Sequence, residues 1–392
     1  MGDSLSIALL VHHQLEPGTG APGSTLALAE ALRTRGHRVD VIGLEIVGTR
    51  ESPWTHLRFP LAAARRVRRA LRQHTYDIID ASTGDLWLLT RREIATSPTA
   101  VLTRSHGLEP LGVIARRDGA RRRELTLRAR YRIYHGGWRL HEVRRTLTCS
   151  DAVLVLNERE RQYVASIGVD RDDIIRTAPL AGVGFSNTPD AAYSTAVAVL
   201  GGTQWRKGGS DNARFIAELL RSHEAAAVTW VGVTSKEIES LIPSDLAPRV
   251  RALPSYRPDE TGELFRTHAV VVLLSRFEGL PLALLEAMSH GCVVVGTAIG
   301  GVEELASVSG GAVAVGDITS AVTAVTTALD ASTWSELSRR SAQESRKFAP
   351  LRIVDILEDN YRRAIAAKAA RDRKSTRLNS SHSQQSRMPS SA

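Results

Sequence analysis

Four runs of aliphatic and β-branched residues, LSIALLV (5–11), AVAVLGG (196–202), AVVVLLSRF (269–277) and CVVVGTA (292–298), show no alternation of apolar and polar positions. A strand covered on one face alternates, whereas a continuous apolar run bounded by turn residues suits a strand buried on both faces of a parallel sheet. Parallel strands need long crossover connections, usually helical, and the chain supplies them. LSIALLV is followed by a Gly/Pro loop, EPGTGAPGS (16–24), a helical stretch, TLALAEALRTRG, and a second apolar run, RVDVIGL (38–44). Further strands read at YDIIDAS (76–82), TAVLTRS (99–105), DAVLVLN (151–157) and DIIRTAP (173–179).

A polar stretch, SNTPDAAYST (186–195), has the composition of a linker, and after it the pattern starts again. AVAVLGG leads through a loop to the helix SDNARFIAELLRSH (210–223) and the strand AVTWVGV (227–233). VRALPSY, the strand within AVVVLLSRF, CVVVGTA and GAVAVG (311–316) follow. The fold class expected is α/β, with two Rossmann-like domains, 1–185 and 196–350, facing a central cleft where ligands bind by default. A chain of 392 residues exceeds the size at which one core usually divides, consistent with two domains.

No apolar run approaches the roughly 18 residues of a membrane span, and LSIALLV is short and lacks a basic leader, so neither a span nor a secretory signal is expected. The two cysteines, Cys149 and Cys292, lie far apart without metal-ligand spacing, which fits free thiols in a reducing cytoplasm. The net charge of +9 is concentrated between residues 57 and 145, where 20 Arg stand against 8 acids and Tyr131, Tyr134 and Trp138 are interleaved. Such a region suits an anionic membrane surface, nucleic acid or an acidic acceptor, or else simply solvated helix faces. Residues 372–392, rich in Ser and Arg without apolar period, are expected to be disordered; Asp372 to His382 resembles a translated sequencing adapter and is read as an assembly artefact.

Four segments fall at strand ends facing the expected cleft. In FEGLPLALLEAM (277–288), Pro281 suits a helix start, which leaves Glu278 in the loop before the helix and Glu286 within it. Between these two acids lies a helix N-terminus, a ready site for phosphate. GTQWRKGG (202–209) sets Arg206 and Lys207 beside a glycine pair, which suits a diphosphate. GTGAPGS places Gly20 where the backbone can approach a ligand closely, and TRSHGLEP (103–110) puts His106 directly after a strand. Singly, each has a bland alternative: a solvated acid, a surface turn, a structural histidine. No acidic D-x-D cluster is placed to carry a metal, and His135 and His141 lack ligand spacing.

Taken together, these segments, with LAEALRTRGHRVDVI, SDAVLVLNERERQYVASIGV and GTAIGGVEELA, resemble glycosyltransferase family 4, retaining enzymes of the two-Rossmann GT-B fold. The resemblance covers nearly all of residues 5–371 and implies an acceptor-side first domain and a nucleotide-sugar-binding second domain. It also implies a helix over 351–371 that crosses back to the first domain. It implies catalytic roles for Glu278 near the donor sugar hydroxyls, His106 near the transferred sugar, and Lys207 on the diphosphate. Donor binding would then fall to Gly20, Arg206, Lys207, the Gly279 and Leu280 amides, and Glu286 on the ribose. The donor would be a nucleotide-diphosphate sugar, with no cofactor and no metal, and the acceptor a glycan, lipid-linked or other compound. The enzyme would be cytoplasmic, with its Arg-rich region, 57–145, open to an anionic inner membrane surface and with no nucleic-acid partner. Three positions depart from the family pattern: Thr203 after Gly202 where Arg is frequent, LAGVGF (180–185) where an Asn-Gly-Val-Asp turn is common, and Asn157 where Ser or Thr is usual. A sugar-nucleotide epimerase or phosphorylase on the same fold, and a non-catalytic lipid- or nucleic-acid-binding module, remain open alternatives.

Overall fold

The computed structural model describes residues 3–385, except 17–19, 49, 51, 182, 183 and 258. Its strands are β1 (Ser6–Leu10), β2 (Arg38–Ile42), β3 (Ile78–Ser82), β4 (Ala100–Arg104), β5 (Ala152–Val155) and β6 (Ile174–Arg176), then β7 (Ala196–Leu200), β8 (Ala227–Val231), β9 (Val250–Leu253), β10 (Val270–Leu273), β11 (Val293–Thr297) and β12 (Gly311–Val313). Each falls within an apolar run of the sequence. All pairings are parallel, in two six-stranded sheets ordered β2-β1-β3-β4-β5-β6 and β12-β11-β10-β7-β8-β9. The central strands are wholly buried, as their unbroken Val, Ile and Leu content requires.

Both orders reverse direction once. In the first sheet β2 lies to one side of β1 and β3 to the other; in the second, β8 and β10 flank β7. Loops leaving the two strands at such a switch point diverge and open a crevice at their carboxyl ends. The second sheet therefore sets the loop after β7, which holds Arg206 and Lys207, beside the loop after β10, which holds Glu278.

The two cores are not independent. One apolar cluster includes Leu156 and Leu180 of the first domain with Leu280 and Ile299 of the second. The helix Pro350–Gln385 returns to the first sheet, where Tyr361 is fully buried and donates to Asp80 at 2.6 Å. Asp80 also pairs with the buried Arg104. Further along, the buried Lys368 ammonium donates to the carbonyls of Ile94 and Thr99 and to Asp151, at 2.8, 2.7 and 2.7 Å.

One expectation is corrected by this helix. Residues 372–385, read as disordered from composition, continue it. No Gly or Pro interrupts residues 351–388, so the established helix has nothing to stop it. Residues 386–392 lie outside the described residues. Among the described residues, no helix is long and apolar enough to cross a membrane.

Candidate active site

The Glu278 carboxylate is the centre of the second domain's crevice. Lys207 Nζ donates to its Oε1 at 2.7 Å, Ser275 Oγ donates to the same oxygen at 2.9 Å, and Arg206 Nη1 lies 3.5 Å from Oε2. Only 10% of the Glu278 side chain is exposed, whereas Lys207 and Arg206 keep 32% and 39% open to solvent. The cations therefore present one side to the crevice and the other to the acid. Ser275 is the buried residue that fixes Glu278 from beneath; its place in SRFEG marks it as a strand end but not as a partner.

The helix after this loop is Leu282–His290, with Pro281 as its cap in extended conformation and Gly291 ending it in the left-handed region. The start is one residue later than a first-turn proline would give. Glu286 lies on this helix, half-buried, with burial pushing its carboxyl pKa up to about 7. Its surroundings are Gly184, where a Cβ would stand 2.8 Å from the carboxyl, and Tyr256, whose phenol is raised to about 12 by burial and by Glu286 itself. Glu278 and Glu286 thus occupy different environments at the two ends of one loop and helix turn.

The first domain meets this site through glycine. Gly107 has φ +116°, and a Cβ on Gly279 would fall 3.0 Å from its Cα and 2.6 Å from Leu156 Cδ1. Only hydrogen on Gly279 lets the two backbones approach this closely, and the positive φ of Gly107 favours glycine at the facing position. His106 is carried by the same turn at the carboxyl end of β4; burial, Arg104 and His13 hold its imidazole down at about 3, so the ring is neutral near pH 7. Asn157 caps the helix Glu158–Ser166 through its side-chain oxygen, while its Nδ2 donates to the Gly279 carbonyl at 3.0 Å. Serine or threonine could make the cap but has no amide to span the domains, which gives the departure at this position a physical use.

Gly20 begins the helix Gly20–Thr34, exposed and with open space around it. The Gly/Pro loop immediately before it, 17–19, lies outside the described residues.

A second linkage escaped the sequence reading. Arg276, almost fully buried, reaches Glu124 of the first domain at 2.9 Å and Asp211 at 2.8 Å, and lies over the Trp205 ring at 5.3 Å. Trp205 Nε1 also donates to Glu124, at 3.0 Å. Nothing local in SRFEG separates this structural arginine from a solvated one; its partners come from segments 65 and 152 residues away. Glu278 opens onto a hollow of about 340 Å³ that Trp205 and Phe277 share with a larger open cavity, about 1060 Å³, on the first-domain side. Glu278 lines the smaller space and Arg206 the larger.

The family model described as Glycosyltransferase Family 4 matches residues 19–177, and that described as Glycosyl transferases group 1 matches residues 195–331. A search of curated protein sequences finds no match. Among solved structures, a sucrose-phosphate synthase from Thermosynechococcus elongatus is similar with a TM-score of 0.69 and 18% identity, over 93% of this chain and 100% of that one. The Anabaena protein HepE in complex with UDP and glucose gives 0.62 and 15%, over 91% and 99%. Starch synthase IV from Arabidopsis thaliana, bound to ADP and acarbose, gives 0.63 and 12%, over 93% and 100%. With the two family models matched in chain order, one on each parallel sheet, the chain belongs to the glycosyltransferases of the family 4 type and is a GT-B glycosyltransferase.

Proposed function

We propose that the chain moves a sugar from a nucleotide-diphosphate sugar to an acceptor hydroxyl with retention of configuration, without a metal. The observation that carries this reading is the Lys207–Glu278–Arg206 cluster at the switch point of the second sheet, beside the N-terminal end of the helix Leu282–His290. Its cations and helix end suit the diphosphate, and its acid suits sugar hydroxyls. Glu286, half-buried one helix turn further, suits the ribose. The nucleotide complexes of HepE and starch synthase IV support the donor class.

In the reaction, the bond from the sugar's anomeric carbon to the diphosphate oxygen breaks and a bond to the acceptor oxygen forms on the same face. The acceptor proton passes to the departing phosphate. Lys207 and Arg206 stabilise the charge that grows on that phosphate. Glu278 orients the sugar, and the neutral His106, on the turn after β4, serves as acceptor for a hydrogen bond from a sugar hydroxyl. The remaining donor contacts fall to Gly20 and to the amides of Gly279 and Leu280.

The test is a thermal-shift screen against UDP, GDP, ADP and their common sugars without added metal. A ligand at a hundredfold excess over Kd stabilises by about 2.7 kcal/mol, easily seen as a rise in melting temperature. The shift should appear with one nucleotide family and vanish in Lys207→Ala; no shift with any nucleotide would overturn the donor assignment.

A further inference from the structure

The 1060 Å³ cavity stands at the switch point of the first sheet, and its wall is fixed. His12, directly after β1, pairs through Nδ1 with Asp85 in the loop after β3 at 3.2 Å; its Nε2 meets the His56 carbonyl at 3.1 Å and its ring stacks on Phe59 at 4.6 Å.

The lining is strongly cationic. Arg116, Arg130, Arg139 and Arg206 line the cavity with one carboxylate, Glu109, which is engaged by Arg139 and by Thr83, both at 2.9 Å; Arg139 also pairs with Glu142 at 3.1 Å and Arg206 with Glu278 at 3.5 Å. Arg116 is half-buried over the Tyr131 ring, at 5.1 Å, and among the described residues neither it nor Arg130 has a carboxylate partner. Burial, and after it Arg116, Arg139 and Arg130, hold the His135 imidazole below its usual range. A half-buried guanidinium without counter-charge, as at Arg116, is stabilised when an anion meets it, and the exposed Arg130 adds a second cation at the rim.

Two segments that line the cavity, one supplying Leu57 and the other Tyr131 and Tyr134, also carry exposed apolar side chains. The helix Pro53–Gln73 turns Trp54, Leu57 and Leu61 outward at helical spacing, 73%, 64% and 43% exposed, although its other face is well packed. Next to Tyr131 and Tyr134 in the chain, Ile133 and Trp138 are 74% and 52% exposed. Exposed arginines, among them Arg58, Arg65 and Arg132, accompany both sets. Tryptophan and leucine held out among arginines form the pattern of an interfacial surface, where the apolar groups enter the lipid and the cations meet headgroups.

We propose that this cavity is the acceptor site and that the acceptor is an anionic, phosphate-bearing lipid taken from a bilayer. Its phosphate rests on Arg116 and Arg130, and its chain leaves between Trp54–Leu61 and Ile133–Trp138, which dock on the membrane. The role of acceptor rests on the transferase reading above, since Trp205 and Phe277 border both this cavity and the hollow of Glu278.

The experiment uses the full chain. Flotation is measured with phosphatidylcholine vesicles, with and without about 30 mol% phosphatidylglycerol. Thermal shift is measured with dodecyl phosphate and with inorganic phosphate, and the nucleotide screen is run on the same preparation. Expected are flotation with the anionic vesicles only, weakened about tenfold in Leu57→Glu and in Leu61→Glu, and a shift with dodecyl phosphate that Arg116→Gln removes. Equal flotation with neutral vesicles, no flotation, or unchanged flotation in both variants would overturn the docking surface. An equal shift with inorganic phosphate would reduce the cavity to an ion site and overturn the lipid. A nucleotide response without a lipid response overturns this acceptor alone. A lipid response without a nucleotide response overturns the transferase reading, and with it the acceptor role.

Discussion

At Glu286, burial lifts the carboxyl pKa from 4.5 to about 7, so the folded chain keeps a proton that the unfolded chain has released. Its contribution to stability is complete below about pH 4.5 and is lost as the pH rises through about 7, on the order of 1–3 kcal/mol for a partly exposed group. Glu286→Gln should remove that loss, so the two melting curves should converge at low pH and separate towards neutrality; parallel profiles would mean the carboxyl titrates normally. Lys207 answers to a different measurement. Lys207→Ala leaves Glu278 with Ser275 and Arg206, and because Lys207 is partly exposed the fold should survive. The transfer rate should fall by about 10²–10³, the usual cost of removing one donor that stabilises developing charge. Glu278→Ala should likewise abolish transfer with the melting temperature little changed, and full activity in either variant would remove the residue from the site.

Among the elements, the helix Pro350–Gln385 is attached to the first sheet by polar contacts that burial makes strong. Lys368 satisfies two carbonyls and Asp151 at once, and Asp151 also accepts from the Val101 amide at 2.9 Å. Lys368→Met would leave Asp151 without its cation, at a cost of about 3–5 kcal/mol, measurable by denaturant titration. The loop elements of the site obey a different economy. The Asn157 side chain contributes both a helix cap and an interdomain hydrogen bond, so Asn157→Ser should keep most of the cap, worth about 1 kcal/mol, while losing the contact to Gly279. Nearly unchanged stability with weakened donor affinity is the result expected from thermal shift with and without nucleotide.

In the whole molecule, the two domains close on Gly107, Gly279 and the helix Glu109–Arg121. That helix brings Gly112 against the Phe277 ring and Gly119 against Trp205. Gly279→Val puts carbon where Leu156 and Gly107 already stand, so the domains should separate. A larger radius of gyration by small-angle scattering and a smaller nucleotide shift would report it; an unchanged radius would show that the interface can give way. Deleting residues 372–392 should leave both quantities unaltered, because Lys368 and the Arg371–Asp173 pair at 2.6 Å anchor the helix before that point.

Strand positions, the restart after residue 195 and the loops that hold Glu278, Lys207 and His106 were all legible from the chain alone. The reason is that a strand buried on both faces must be apolar throughout, and a helix start must carry its own turn residues, so both leave a local record. The helix over 372–385 was misread because local composition describes a segment's own tendency, not the helix already formed before it. Burial and partnership leave no such record. That burial raises the Glu286 carboxyl pKa, that Arg276 joins Glu124 across 152 residues, and that Tyr361 closes over Asp80 across 281 are properties of the packed molecule. Identical Glu, Arg and Tyr side chains on a solvated face would read the same in sequence. Desolvation and charge pairing act through space, and only the tertiary structure decides which of these groups share it.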